Sequence, residues 1–258
     1  DAQGYDSIYL ARYKSFLAEV VGEDPCPREN GNMLVARDFS GALAGRMGVG
    51  LVVSDRRLEG GERAAVMRRQ RKVRKVAQRG SVSIYALSGA MPLASVHAHA
   101  SYVASWRDAL ERLSANPLSP LLIVGRPGAV RIDVSTARNA RLRWRPARIV
   151  RRSANRIVIR AECDQPGFLV VRDNFFPGWR AFVDTAAGAA EPARLFGGRR
   201  RAETPVMLAD ATFKAVHLPR GCHVVEMRYE PTTFRLGLFI SMCALAALVA
   251  LALARPEE

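Results

Sequence analysis

The sequence predicts an α+β fold in three parts: a small N-terminal α/β unit, an antiparallel, jelly-roll-like β-sandwich, and one C-terminal transmembrane helix. Three observations predict it. From Leu236 to Ala254 the chain runs for 19 residues without a charge. As a helix at about 1.5 Å per residue this covers roughly 28 Å, close to the hydrocarbon thickness of a bilayer. Between residue 119 and residue 231, short alternating apolar runs follow one another with turn residues between them, the pattern of a sandwich. Before residue 118, helical and strand periods are mixed. The expected divisions are therefore 1–118, 119–231 and 234–254.

The elements follow in order. Residues 7–22 carry apolar side chains at helical spacing, and Gly22 is a natural stop. The Pro/Asn/Gly stretch 23–32 reads as a loop. A helix or turn around 38–46 leads to Leu51-Val52-Val53, expected as a short buried strand. Residues 59–78 are charged and read as helical or irregular, and 81–87 and 92–98 read as strands. Ser105 and Asp108 have the spacing of a capping box and start a helix over 105–113. Beyond residue 120, the runs LLIVG, VRIDVST, ARLRWRPARIV, NRIVIRAEC, GFLVVRDNF, WRAFVDT, PVMLA, FKAVHL and HVVEMRYE are expected strands. In the terminal segment only Ser241 and Cys243 interrupt the apolar surface. A buried core helix of that length normally shows a polar stripe, so the membrane reading is preferred. Its small residues, among them Gly237, Ala246, Ala247 and Ala250, suit packing against other membrane helices.

The net charge is +15, from 39 Lys and Arg against 24 Asp and Glu, and only Lys14, Lys72, Lys75 and Lys214 are lysines. The excess is uneven: residues 126–160 hold eleven basic side chains and one acidic, Asp133. Such surfaces attract phosphates of nucleic acid, lipid headgroups or lipid-linked substrates. Arg141, Arg143 and Arg145 alternate with Leu142 and Trp144, giving a strand one basic face. They are candidates for contact with anionic lipid, with a solvated strand face as the plain alternative. The run Arg68-Arg69-Gln70-Arg71-Lys72-Val73-Arg74-Lys75 is read either as a nucleic-acid or anionic-lipid patch or as a solvated helix or loop.

The cysteines Cys26, Cys163, Cys222 and Cys243 match no metal-ligand spacing. Cys163 and Cys222 fall on expected strands, either as a pair in an oxidising compartment or as two buried thiols. His97 and His99 share a strand face, but two ligands make a weak metal site without a third. No metal site, catalytic triad order, phosphate-binding glycine loop or dinucleotide fingerprint stands out, and no cofactor is expected in this chain.

The most distinctive string is Asp173-Asn174-Phe175-Phe176-Pro177-Gly178-Trp179-Arg180-Ala181-Phe182-Val183-Asp184. It reads as strand, Pro-Gly turn, strand, since proline pre-sets the first turn position and glycine supplies positive φ at the second. A second string, Phe213 to Pro231, reads as two strands joined by Pro219-Arg220-Gly221 and ends shortly before the apolar helix. Together they resemble the C-terminal region of the YfhO-type bacterial membrane proteins. There a YYPGW.A.VDG stretch precedes FRAV.LPAG.H.V.F.Y.P and a membrane helix follows. The resemblance covers 165–245 and extends more weakly to Asp1–Asp6 with Arg12-Tyr13, and to Gly48–Ser54. The chain departs from that pattern at Thr185, where the family has glycine, at Cys222, and in the inserted stretch 186–203.

The resemblance implies a multi-pass protein similar to GT-C glycosyltransferases, which use polyprenyl-phosphate sugars on the outer side of the membrane. Their catalytic acid lies on an early loop of the membrane bundle, so no catalytic residue carries over to this chain. It is expected to be inactive alone and to lie outside the bacterial cytoplasmic membrane. Its expected partners are the bilayer, an upstream transmembrane bundle of the same polypeptide, and a glycan or lipid-linked sugar. Nucleic acid is not an expected partner under this reading. Its role is then to position a glycan acceptor or to cover the membrane active site. Candidate residues for a glycan are Asp173, Phe176, Pro177, Gly178, Trp179 and Asp184. The competing reading makes Phe176 and Trp179 core anchors of a tight hairpin and the two aspartates turn caps or ion-pair partners. Two other functions stay open: a tail-anchored, non-enzymatic basic module binding anionic lipid or nucleic acid, and a stand-alone carbohydrate-binding sandwich.

Overall fold

The computed structural model describes residues 11–21, 42–54, 73–125, 144–184 and 201–253. The helices are α1 (Ala11–Val21), α2 (Ala42–Met47), α3 (Trp106–Ala115) and α4 (Thr232–Leu253). The strands before residue 125 are β1 (Leu51–Ser54), β2 (Val73–Arg79), β3 (Val82–Leu87), β4 (Ala94–His97), β5 (Ala100–Val103) and β6 (Leu121–Val124). Those after it are β7 (Trp144–Pro146), β8 (Arg148–Ser153), β9 (Arg156–Cys163), β10 (Gly167–Asn174), β11 (Trp179–Asp184), β12 (Arg201–Thr204), β13 (Val206–Ala209), β14 (Phe213–Leu218) and β15 (Gly221–Tyr229).

A seven-stranded sheet of order β5-β6-β13-β14-β10-β4-β7 forms the middle layer. Its strand composition follows from burial on both faces. In β10, Phe168 and Val170 face a core built with Phe16, Leu17, Leu43, Ala44 and Leu113 of the helices, while Leu169 and Val171 face a second core. A strand covered on both sides has no polar face, so its sequence is a continuous apolar run instead of an alternation. The same division sends Phe213 and Ala215 of β14 to the helices and Val216 and Leu218 to the second core.

That second core is closed by a five-stranded antiparallel sheet of order β12-β11-β15-β9-β8. Ile157, Ile159 and Ala161 of β9, Ala181 and Val183 of β11, and Val225 and Met227 of β15 point inward. The outward positions between them are Val158, Arg160, Phe182 and Glu226, so side chains alternate between the two faces with the two-residue period of a strand. The two sheets make the expected sandwich, and the chain crosses between them repeatedly, at β7–β8, β9–β10, β10–β11, β12–β13 and β14–β15. The class is α+β with a C-terminal helix. β4 and β5 come from before residue 118, so the seven-stranded sheet draws on both stretches into which the sequence divides the chain.

The pair β5–β6 is parallel. Parallel neighbours need a crossover, and α3 supplies it. Its capping box forms as expected: Ser105 Oγ accepts from the Asp108 N–H at 3.2 Å, and Asp108 Oδ2 accepts from the Ser105 N–H at 2.9 Å.

Two expectations for strands are corrected. Leu51-Val52-Val53 is a strand but not a buried one, because β1 is an edge of the three-stranded sheet β1-β3-β2, with Leu51 63% and Val53 66% exposed. Residues 73–79, expected as helical or irregular, form β2. Their own periodicity is poor; pairing along β3, whose Tyr85 and Leu87 are buried, decides the conformation. The inserted stretch 186–203 ends in β12, which extends the five-stranded sheet beside β11. The run 130–136 lies outside the described residues.

Helix α4 is 22 residues long, and its stretch Thr232–Ala250, of mean hydropathy 1.9, is apolar and long enough to cross a membrane. None of that stretch is buried against the rest of the chain, so it is not a core helix of this fold.

One buried ion pair ties the helical layer to the middle sheet. Arg46 of α2 donates from Nε to Asp210 Oδ2 and from Nη2 to Asp210 Oδ1, both at 2.7 Å, with the side chains 5% and 1% exposed. Arg46 also donates to the carbonyls of Pro117, Ser119 and Pro120. Asp210→Asn leaves a buried guanidinium without its counter-charge, and the expected loss of stability is about 3–5 kcal/mol. Breaking the exposed Arg145–Asp164 pair by Arg145→Gln is expected to change stability by no more than about 1 kcal/mol. Urea unfolding of both variants checks this; equal midpoints would contradict the role given to the buried pair.

Candidate membrane-proximal site

The distinctive string folds as the expected strand, turn and strand, with β10 and β11 on either side of Pro177-Gly178, but the two strands lie in different sheets and do not pair, so the turn is a crossing between sheets and not a hairpin. A register shift between Val171 and Asn174 lets the chain leave the seven-stranded sheet for the five-stranded one. Gly178 sits at φ +107°, a conformation open to glycine. There is also no room for a side chain: a Cβ would lie 3.0 Å from Pro231 Cα and 3.1 Å from Tyr229 Cε2. The Glu230 N–H donates to the Gly178 carbonyl at 2.8 Å. The turn is therefore packed against the two residues that connect β15 to α4.

Around this junction the aromatics gather. Tyr229 meets Trp179 at 5.5 Å between ring centroids and Phe176 at 6.2 Å, the latter edge to face. Lys214 Nζ stands 3.6 Å above the Trp179 ring and donates to Asp173 Oδ2 at 2.8 Å. Burial holds Lys214 below the usual lysine range, with Asp173 opposing that shift. The Trp179 ring thus has a cation on it and a tyrosine beside it, and it packs on the sandwich core. Phe176 is the more open of the two aromatics, at 44% exposed.

The structure brings together Asp173, Phe176, Pro177, Gly178 and Trp179 and leaves Asp184 apart. Asp184 is buried at the other end of β11, in register with Arg201, about 16 Å along the strand from Trp179. Arg180 pairs with Glu203 and Glu230, not with either aspartate. Of the three arginines considered for lipid contact, Arg141 and Arg143 lie outside the described residues. Arg145 is bound to Asp164, just beyond Cys163 at the end of β9. That is the opposite end of the sandwich from Arg156 and Arg228, which are paired beside the start of α4. The separation is one strand, about 23 Å.

Two buried polar centres were not legible as such. On the outer face of the five-stranded sheet, Glu226 is 1% exposed and bound by Arg156 at 2.5 Å, Arg228 at 2.8 Å, and Arg201. Burial alone raises its carboxyl; the three guanidinium groups outweigh that and hold it below the usual range. Alternation in HVVEMRY places Glu226 outward, but nothing local says that arginines from three strands cover it. The other centre adjoins Arg46. Arg172 donates to the carbonyls of Arg46 and Pro92, to Ser95 Oγ and to Met91 Sδ. Its Nη2 lies 3.3 Å from His97 Nε2. Arginine only donates, so Nε2 is the acceptor and the imidazole is neutral.

His97 is buried and His99 half-buried, and among the described residues no group of three His, Cys, Asp or Glu side chains is placed to hold a metal. Cys163 and Cys222 are both free thiols. Register puts Cys163 opposite Gly221 and Cys222 opposite Glu162, so the two point to opposite faces of the sheet and cannot bridge without backbone movement. Burial pushes the Cys163 thiol up to about 11.

Compared with known proteins, the chain matches no family model, no curated protein and no solved structure.

Burial, then the charges of Arg172 and Arg46, push the His97 imidazole down to about 3, with Asp210 opposing them. The unfolded chain titrates near 6.5, so between about 6.5 and 3 the unfolded state binds the extra proton. Stability from this group is full above about pH 6.5 and is expected to fall by about 1.4 kcal/mol per pH unit below it. Unfolding free energies from pH 7 to pH 4, compared with His97→Gln, measure this; an unchanged slope in the variant would rule His97 out as its source.

Proposed function

We propose that this chain is a membrane-anchored, non-catalytic region of a YfhO-type, GT-C-like glycosyltransferase. In this reading α4 crosses the bacterial cytoplasmic membrane and the sandwich stands outside it. There it positions a glycan acceptor or covers the mouth of the membrane active site. The observation that carries the reading is the junction itself. The two strings that resemble the family each fold as two strands joined by a turn that crosses from one sheet to the other, and they meet, through Gly178, Tyr229, Glu230 and Pro231, at the base of an apolar helix of spanning length.

A sandwich serving only as a carbohydrate-binding module through Trp179 is less well supported. A sugar stacks on an open aromatic face, and Trp179 carries Lys214 at 3.6 Å over its ring. A tail-anchored basic module draws its support from the charge alone.

The coding sequence upstream of Asp1 tests the assignment. An open frame through a series of apolar helices is the expected finding, and a start codon at that point would sink it. The purified full chain, given a polyprenyl-phosphate sugar and a glycan acceptor, is expected to form no product. Product formation would overturn the non-catalytic role while leaving the anchoring intact.

A further inference from the structure

The end of the sandwich from which α4 leaves has a composition of its own. β15 ends at Tyr229 and α4 begins at Thr232. Cross-strand register assigns the neighbours: Arg228 lies opposite Arg156 on one side and Arg180 on the other, and the β8–β9 turn brings Arg152 to the same end. The charge of Arg152 reaches Lys214, which sits over Trp179 at this end. Arg235 lies in the first turn of α4. The cations here include Arg152, Arg156, Arg180, Lys214, Arg228 and Arg235, with Arg201 on Glu226 and Arg12 donating to the Phe175 carbonyl. They face four carboxylates, Asp173, Glu203, Glu226 and Glu230. Arg152 and Arg235 are exposed, and Phe176 projects beside them with 44% of its surface open.

Cationic side chains next to an exposed aromatic, a few residues from a membrane helix, have the chemistry of the headgroup layer. The guanidinium groups meet phosphates and the ring sits among glycerol and upper acyl groups. Resting on the reading that α4 crosses a bilayer, we propose that this end of the sandwich is a docking surface for anionic lipid headgroups. Arg152, Arg228 and Arg235 make the charge contacts and Phe176 provides the apolar anchor. The occupant is the membrane that holds α4, because the surface lies within two residues of that helix. The basic strand containing Arg145 is not part of it, since Arg145 is at the far end and paired with Asp164.

The test uses the full chain in lipid nanodiscs, either wholly phosphatidylcholine or one third phosphatidylglycerol, with amide hydrogen exchange as the readout. Exchange at 153–155 and at 175, 176 and 178 is expected to slow several-fold in the anionic discs. Arg152→Gln/Arg235→Gln is expected to remove that protection, since neither side chain supports the fold through a hydrogen bond or ion pair among the described residues. Arg145→Gln is expected to retain it. Equal exchange in both lipids, or loss of protection in Arg145→Gln, would overturn the proposal while α4 remains anchored. Inorganic polyphosphate giving the same protection in the phosphatidylcholine discs would also overturn it, as a general anion site. Alkaline extraction of membranes containing the chain separates the two readings: retention supports anchoring, and release would overturn the anchoring and the docking surface together.

Discussion

The Arg46–Asp210 pair is the constraint on which the arrangement of layers depends. Residues 164 positions apart in sequence meet through two 2.7 Å bonds with almost no solvent access. Asp210 lies in the turn between β13 and β14, where it and Ala211 adopt positive φ of 46° and 65°. Aspartate tolerates that conformation better than most residues. Its backbone N–H donates to the Leu122 carbonyl, and its Oδ1 accepts from the Leu122 N–H. One carboxylate thus fixes β6 against β13, and one guanidinium fixes α2 against the loop leading into β6. Arg172 of β10 then donates to the Arg46 carbonyl and extends the network to β4 through Ser95. Burying these charges carries a desolvation penalty that their attraction does not obviously exceed. What they supply is uniqueness: a shifted helix or a slipped strand would leave a charge buried without its partner.

Around that fixed point the two apolar cores assemble by simple alternation. The middle sheet sends one set of side chains to the helices and the next to the second sheet, so its central strands carry no polar face. The sandwich edges on one side are β7 and β8. Open edges invite pairing with other chains, and here Pro146 removes a donor from one while Arg148, Arg151 and Arg152 charge the other. Part of the basic excess on this chain is thereby a property of the fold and not of a ligand.

What could be read from the sequence was what local chemistry decides. The Ser105/Asp108 box, the uncharged terminal helix, the Pro177-Gly178 turn and the apolar run of β10 each carry their signal within a few residues. Strands that borrow their conformation were missed or misjudged. β2 is a charged segment made regular by β3, and β12 is a short strand made by β11. The candidate site was half legible for the same reason. Phe176, Pro177, Gly178 and Trp179 are adjacent in sequence and stay together. Asp173 was grouped with Asp184 by composition, yet its partner is Lys214, 41 positions away, while Asp184 lies at the other end of β11. Glu226, Arg46 and Asp210 gave no local sign of burial, because each is buried by residues from distant strands or loops.

The junction between β15 and α4 has a mechanical consequence. A sandwich joined to a membrane helix by a flexible linker samples many orientations, and the linker sets only an effective concentration. Here the connection is Glu230-Pro231, and it is not free. The Glu230 N–H is bonded to Gly178, proline fixes the next φ, and the Arg235 N–H reaches back to the Pro231 carbonyl at 3.4 Å. The Pro177-Gly178 turn fills the space beside it so closely that a single added Cβ would collide. Gly178 and Trp179 of the most distinctive string are therefore accounted for by holding the sandwich and the helix in one relative orientation. Their contacts with Pro231 and Tyr229 make the base of the sandwich rigid, while the Phe176 ring, 44% exposed, keeps an open face beside the helix.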